Sequence, residues 1–134
     1  MPSNAEILRK AYDYFEIWDQ PSRAEFEKLL LDDDDDEVVW IEDDDDLNPG
    51  TYRGKSDVMD HLDFVKQQPT TTTNIRIAPD GGRTTDEMEV GGHSAHRCVT
   101  DVTFKGSRIA VVHHCLEHGG AAPKPAPGST PPGP

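Results

Sequence analysis

The hydrophobic period of this chain changes just after Pro69, and that change restricts the fold more than any other feature. Before it, apolar residues recur every three or four positions, the period of a helix with one buried face; after it they alternate, the period of a half-buried strand. In the first segment Ile7, Leu8, Ala11, Tyr12, Phe15 and Trp18 make one continuous apolar face, followed beyond Pro21 by a shorter stripe of Phe26, Leu29 and Leu30. Ser3-x-x-Glu6 and Ser22-x-x-Glu25 both have the form of capping boxes and mark two helix starts. A third helix is expected from about Ser56 to Gln67, with Val58, Leu62 and Val65 on one side, Met59 beside them and Pro69 closing it.

From Thr70 the punctuation is glycine. Thr73, Ile75 and Ile77 alternate up to the turn signal Asp80-Gly81-Gly82, and Met88 and Val90 mark a strand that breaks at Gly91-Gly92. Residues 94–104 and 108–117 form the longest pair, joined across Lys105-Gly106. A helical first half packed on an antiparallel second half is an α+β domain. Between the halves, Val38-Val39-Trp40-Ile41 reads as a strand ending in Glu42-Asp43, followed by the turn Asn48-Pro49 and a Gly50-Thr51-Tyr52-Arg53-Gly54 corner into the third helix. Such a strand carries acid groups to the mouth of a core. A carboxylate there, next to Trp40, loses water and its pKa rises toward that of a useful general base. Asp43 is the candidate on that argument, set against the plainer reading of 42–46 as a solvated acidic loop.

The chain has 134 residues, enough for one domain that buries roughly two-thirds of its unfolded surface. Twenty-six acids against 13 Lys and Arg give a net charge of −13, which argues against nucleic acid and anionic membranes as partners. With no leader-like start and no spanning apolar run, a cytoplasmic location is expected. Two cysteines are too few for a disulfide framework. The domain is expected over 1–118, and the Pro- and Gly-rich 119–134 as a disordered tail. The acidic runs 32–37 and 42–46 lack the grammar of a calcium loop and sit roughly 13 Å or more apart along the strand between them. If Lys105-Gly106 is a two-residue turn, His96, Cys98, Thr100, His113 and Cys115 share the more apolar, inward face, leaving His114 and Asp101 outside. Two Cys and two His there suggest zinc, but a flat face converges four ligands poorly, so no metal is expected. His113 remains a candidate proton shuttle.

Residues 4–118 resemble the SnoaL-like branch of the nuclear-transport-factor-2-like (NTF2-like) superfamily, most closely in Ala11-Tyr12-Asp13-Tyr14-Phe15, Val38-Val39-Trp40, Gly50-Thr51-Tyr52-Arg53-Gly54 and Arg108-Ile109. The resemblance implies a cone-shaped α+β barrel, cystatin-like, in which a curved antiparallel sheet wraps over the N-terminal helices. It also implies an apolar pocket for a small hydrophobic or polycyclic ligand, a homodimer, and no cofactor. Isomerase, cyclase or hydrolase chemistry by acid and base is the implied activity, with a non-catalytic binding or dimerisation module as the alternative. In the ketosteroid isomerases a catalytic aspartate holds a place similar to Asp43, and an oxyanion-stabilising tyrosine one similar to Tyr14 or, by another register, Tyr12. The proton shuttle falls on His113 or His114. Phe15, Trp18, Trp40, Tyr52, Met59 and Thr100 are the candidate ligand contacts.

Overall fold

The structure, a computed structural model, describes residues 2–34, 36–43, 49–91 and 96–116. Asp44, Asp45, Asp46 and the 119–134 tail lie outside the described residues. Helix α1 (Asn4–Ile17) starts as its capping box dictates: Ser3 Oγ accepts the Glu6 N–H at 3.1 Å and Glu6 Oε1 accepts the Ser3 N–H at 2.8 Å. It buries Ile7, Leu8 and Ala11 and stops where Trp18 turns left-handed at φ 49°. Helix α2 (Gln20–Lys28) is capped differently from the sequence expectation. Asp19, not Ser22, caps it by accepting the Ser22 N–H at 2.9 Å, and Pro21 lies inside the first turn, where a missing N–H costs nothing. Strand β1 (Val39–Glu42) and strand β2 (Gly50–Arg53) follow, then helix α3 (Lys55–Lys66). The expected glycine corner is thus itself a short edge strand, pairing Trp40 with Tyr52.

Four long strands follow among the described residues: β3 (Thr70–Ile77), β4 (Arg83–Val90), β5 (His96–Lys105) and β6 (Arg108–Leu116). The six strands form one curved, open sheet in the order β2-β1-β6-β5-β4-β3, antiparallel throughout except where β1 runs parallel to β6. All three helices lie against one face. Their apolar stripes meet Val38, Val102, Ile109, Ala110 and Val112 to make the core, with Leu30, Met59 and Val58 among its most buried members. At the far end of α1, Asp63 of α3 accepts from Trp18 Nε1 at 2.9 Å and from both Nε and Nη2 of Arg23, so one carboxylate ties the three helices together. Part of the first acidic run is equally committed: Asp32 pairs with Lys55 at 2.7 Å and Arg108 at 3.3 Å, and Asp33 accepts the Lys55 N–H at the start of α3.

The last hairpin corrects the expected faces. The two-residue turn is Gly106-Ser107 rather than Lys105-Gly106, so Lys105 pairs with Arg108 and Phe104 with Ile109; Thr103 then pairs with Val111, so Ala110 is an extra residue in β6. A bulge of one residue moves every later side chain of that strand to the other face. Beyond it Thr100 faces His114, and His113 faces Asp101. Thr100 is buried as expected, whereas His114 has taken the inward place expected of His113.

Candidate functional site

Three strands bring polar groups onto the face covered by the helices. On β1 the alternation that buries Val38 turns Trp40 and Glu42 inward, and Glu42 is only 8% exposed. A buried carboxylate needs partners, and among the described residues three elements supply them. Trp40 Nε1 donates to Oε2 at 2.9 Å, His61 Nε2 of α3 meets Oε2 at 2.8 Å, and His114 Nδ1 of β6 meets Oε1 at 2.8 Å. An ionised carboxylate only accepts, so both imidazoles donate to it, and neutral His114 then carries its lone pair on Nε2. The Tyr52 ring stacks on His61 with centroids 4.1 Å apart and an interplanar angle of 15°. Loss of water, and next the negative charge of Glu42, raise the Tyr52 pKa.

The second polar group lies on β4. Thr84 and Asp86 are 2% and 3% exposed, across from Thr100 and Cys98 of β5. Tyr12 of α1 reaches down to both, donating to Asp86 Oδ2 at 2.6 Å with its oxygen 2.7 Å from Thr84 Oγ1. Burial raises the Asp86 pKa, opposed by the Tyr12 hydrogen bond, the His114 imidazole and the Cys98 thiol. Burial also raises the Tyr12 phenol, reinforced by the Asp86 charge, so Tyr12 keeps its proton. Asp86 Oδ1 has no hydrogen-bond partner of its own among the described residues. His114 therefore stands between two buried carboxylates, held by one and acting electrostatically on the other.

A raised Asp86 pKa has a stability consequence with a definite sign. Above 3.8 the unfolded chain has released this proton while the folded chain still holds it, so this group's contribution falls as pH rises toward the folded pKa. Asparagine, never charged, escapes that loss. Asp86→Asn should melt higher than the parent near pH 7 and show no such advantage near pH 3.5, as thermal melts at the two pH values will check.

The outer face carries the neighbours of these residues. Asp43 Oδ1 lies 2.7 Å from His113 Nε2, and Arg83 pairs with Asp101 at 2.7 Å, side chains that all keep a third or more of their surface exposed. Of the residues expected from the sequence, Trp40, Tyr52 and Thr100 belong to the inner site. Met59 is buried in the core, while Phe15 and Trp18 stand edge-on at 5.4 Å in a cluster with Phe26. Tyr14 is half-buried against the core, and Tyr12 is the tyrosine that reaches the buried carboxylate. Cys98 and His113 point to opposite faces, so the expected Cys and His cluster is not assembled as drawn; the side chains of His96 and Cys115 lie outside the described residues. No group of three or more His, Cys, Asp or Glu among the described residues could hold a metal ion. Glu42, His61 and Asp86 escaped the sequence reading. For two of them the signal was present: Glu42 alternates with Val38 and Trp40, and Asp86 with Met88 and Val90.

No helix among the described residues is long and apolar enough to cross a membrane. No protein-family model matches the chain, and a search of curated proteins finds no match. Solved structures do match. An NTF2-like protein from Burkholderia xenovorans superposes with a TM-score of 0.66 at 12% identity, covering 85% of this chain and 88% of its own. A candidate polyketide cyclase from Pseudomonas putida gives 0.62 at 14% identity, covering 85% and 91%. A candidate ketosteroid isomerase from Kribbella flavida gives 0.63 at 15%, covering 91% and 83%. The chain has the cone-shaped α+β fold of the NTF2-like superfamily.

Proposed function

We propose that the chain binds a small, largely apolar ligand against the inner face of the sheet and moves a proton on it, the chemistry of an isomerase or cyclase. The observation that carries this reading is the Glu42–His114 pair: a buried carboxylate accepting from Nδ1 and leaving Nε2 as the basic nitrogen. His114 is the base, Glu42 holds its tautomer and orientation, and Tyr12, hydrogen-bonded to Asp86, is the polar group opposite it. The similarity to a candidate polyketide cyclase and a candidate ketosteroid isomerase supports the reaction class. Asp43, Tyr14 and His113, the set expected from the sequence, give way in this proposal to Glu42, Tyr12 and His114, each one or two positions away.

Deuterium exchange into a panel of cyclic ketones, followed by mass spectrometry, tests it. The parent protein should catalyse exchange beside the carbonyl, and His114→Gln should lose about 100-fold or more of that rate, the usual worth of a positioned general base. Equal loss in His113→Gln, with His114→Gln unchanged, moves the chemistry to the outer face. Ligand binding without exchange favours the non-catalytic binding module.

A further inference from the structure

The inner face is electrically one-sided. Its buried ionisable groups include two carboxylates, Glu42 and Asp86, while no Lys or Arg is among the buried residues described. Glu42 is fully engaged by Trp40, His61 and His114. Asp86 is not: Tyr12 serves Oδ2, and Oδ1 is a buried acceptor without a hydrogen-bond partner among the described residues, the Cys98 thiol beside it being a weak donor. A buried acceptor left in that condition costs free energy that a ligand donor recovers. Around the face stand Tyr12, Tyr52, His61, His114, Thr84 and Thr100, with the net charge of −13 behind them, a setting that repels carboxylates and phosphates. Asp86 and Glu42 are three strands apart, about 14 Å at ~4.8 Å per strand. Trp40 and Tyr52 lie at the Glu42 end and offer aromatic surface to an apolar body.

We infer that the ligand is an apolar amine, its ammonium group donating to Asp86 and its body lying across Thr100 and His114 toward Trp40. The inference rests on the proposed binding function and names the substrate class of that site. It also has a proton consequence. Burial favours the protonated carboxyl, and an ammonium beside it favours the carboxylate, so binding shifts Asp86 toward the carboxylate.

Calorimetry with three probes of one shape tests this: 4-phenylbutylamine, 4-phenylbutanol and 4-phenylbutyrate, in 0.15 M salt so that long-range attraction to the acidic surface is screened. The amine should bind about 10-fold or more tighter than the alcohol, one unpaired charge being worth at least that in a dry site, and the carboxylate should bind weakest. Its apparent heat should vary with the buffer's ionisation enthalpy, which reports the released proton. Asp86→Asn should bring the amine to the level of the alcohol, while Asp43→Asn, which removes an acid from the outer face, should leave the preference intact. Equal binding of amine and alcohol, or an amine preference that survives Asp86→Asn, overturns the inference and leaves the binding function standing. Binding of none of the three overturns both.

Discussion

Replacing Glu42 with alanine should lower the stability of the fold by about 3–5 kcal/mol, the cost of leaving several buried hydrogen-bond donors without their acceptor. The substitution strands three donors at once, Trp40 Nε1, His61 Nε2 and His114 Nδ1, and the His61 side chain is fully buried. It also cuts a tie between α3 and β1 in the inner site, the 2.8 Å contact from His61. Glu42→Gln keeps an acceptor but presents an NH2 group to one of the histidines, and its loss should be intermediate. Asp43→Ala, one position along, breaks the part-exposed pair with His113 on the outer face and should cost clearly less, about 1 kcal/mol. Urea unfolding of the three variants separates these values. A Glu42→Ala loss no larger than that of Asp43→Ala means that the inner network holds nothing together.

Gly81→Val should be nearly as damaging, at about 3 kcal/mol. Gly81 sits in the turn between β3 and β4 at φ +74°, a left-handed conformation that a β-branched residue adopts only under strain. Space is the larger problem. A Cβ there falls 2.5 Å from Asn4 Cβ and 2.8 Å from Asn4 C, and the second of these is backbone of the first turn of α1 and cannot swing aside. The hairpin must then lift from the helix start, loosening the helix that carries Tyr12 over Asp86. Gly106, also left-handed at φ +62° in the β5–β6 turn, has nothing within 4 Å of its added Cβ, so Gly106→Val carries the backbone strain alone and should cost clearly less. Thermal melts of the pair distinguish the clash from the strain, and equal losses mean that the contact with α1 does not matter.

Much of the fold was legible because its signals are local. The period change at Thr70, the Ser3 capping box and the glycine turns each act over a few residues, and the elements fall within a residue or two of where those signals put them. The candidate site was less legible because it depends on parity, and one residue reverses parity. Ala110 bulges out of β6 and exchanges His113 for His114, next to Ile109, whose N–H and carbonyl bond the Leu29 carbonyl and the Leu31 N–H, and no turn residue signals it. On β1 the end of the apolar run drew attention to Asp43, whereas Val38 and Trp40 alternate with Glu42. Asp86 and His61 were hidden for another reason. Each is a polar residue on an otherwise buried face, and only the partners brought by distant elements, Tyr12 from α1 and Glu42 from β1, make that burial tolerable.

The inner placement of the site is the central claim, and imidazole NMR tests it most directly. In 15N-labelled protein, long-range proton–nitrogen correlations resolve His61, His113 and His114, and 4-phenylbutylamine is titrated in. The account predicts that the His114 nitrogens move with saturating ligand while those of His113, paired with Asp43 on the other face, stay where they are. Movement of His113 with His114 unmoved contradicts it.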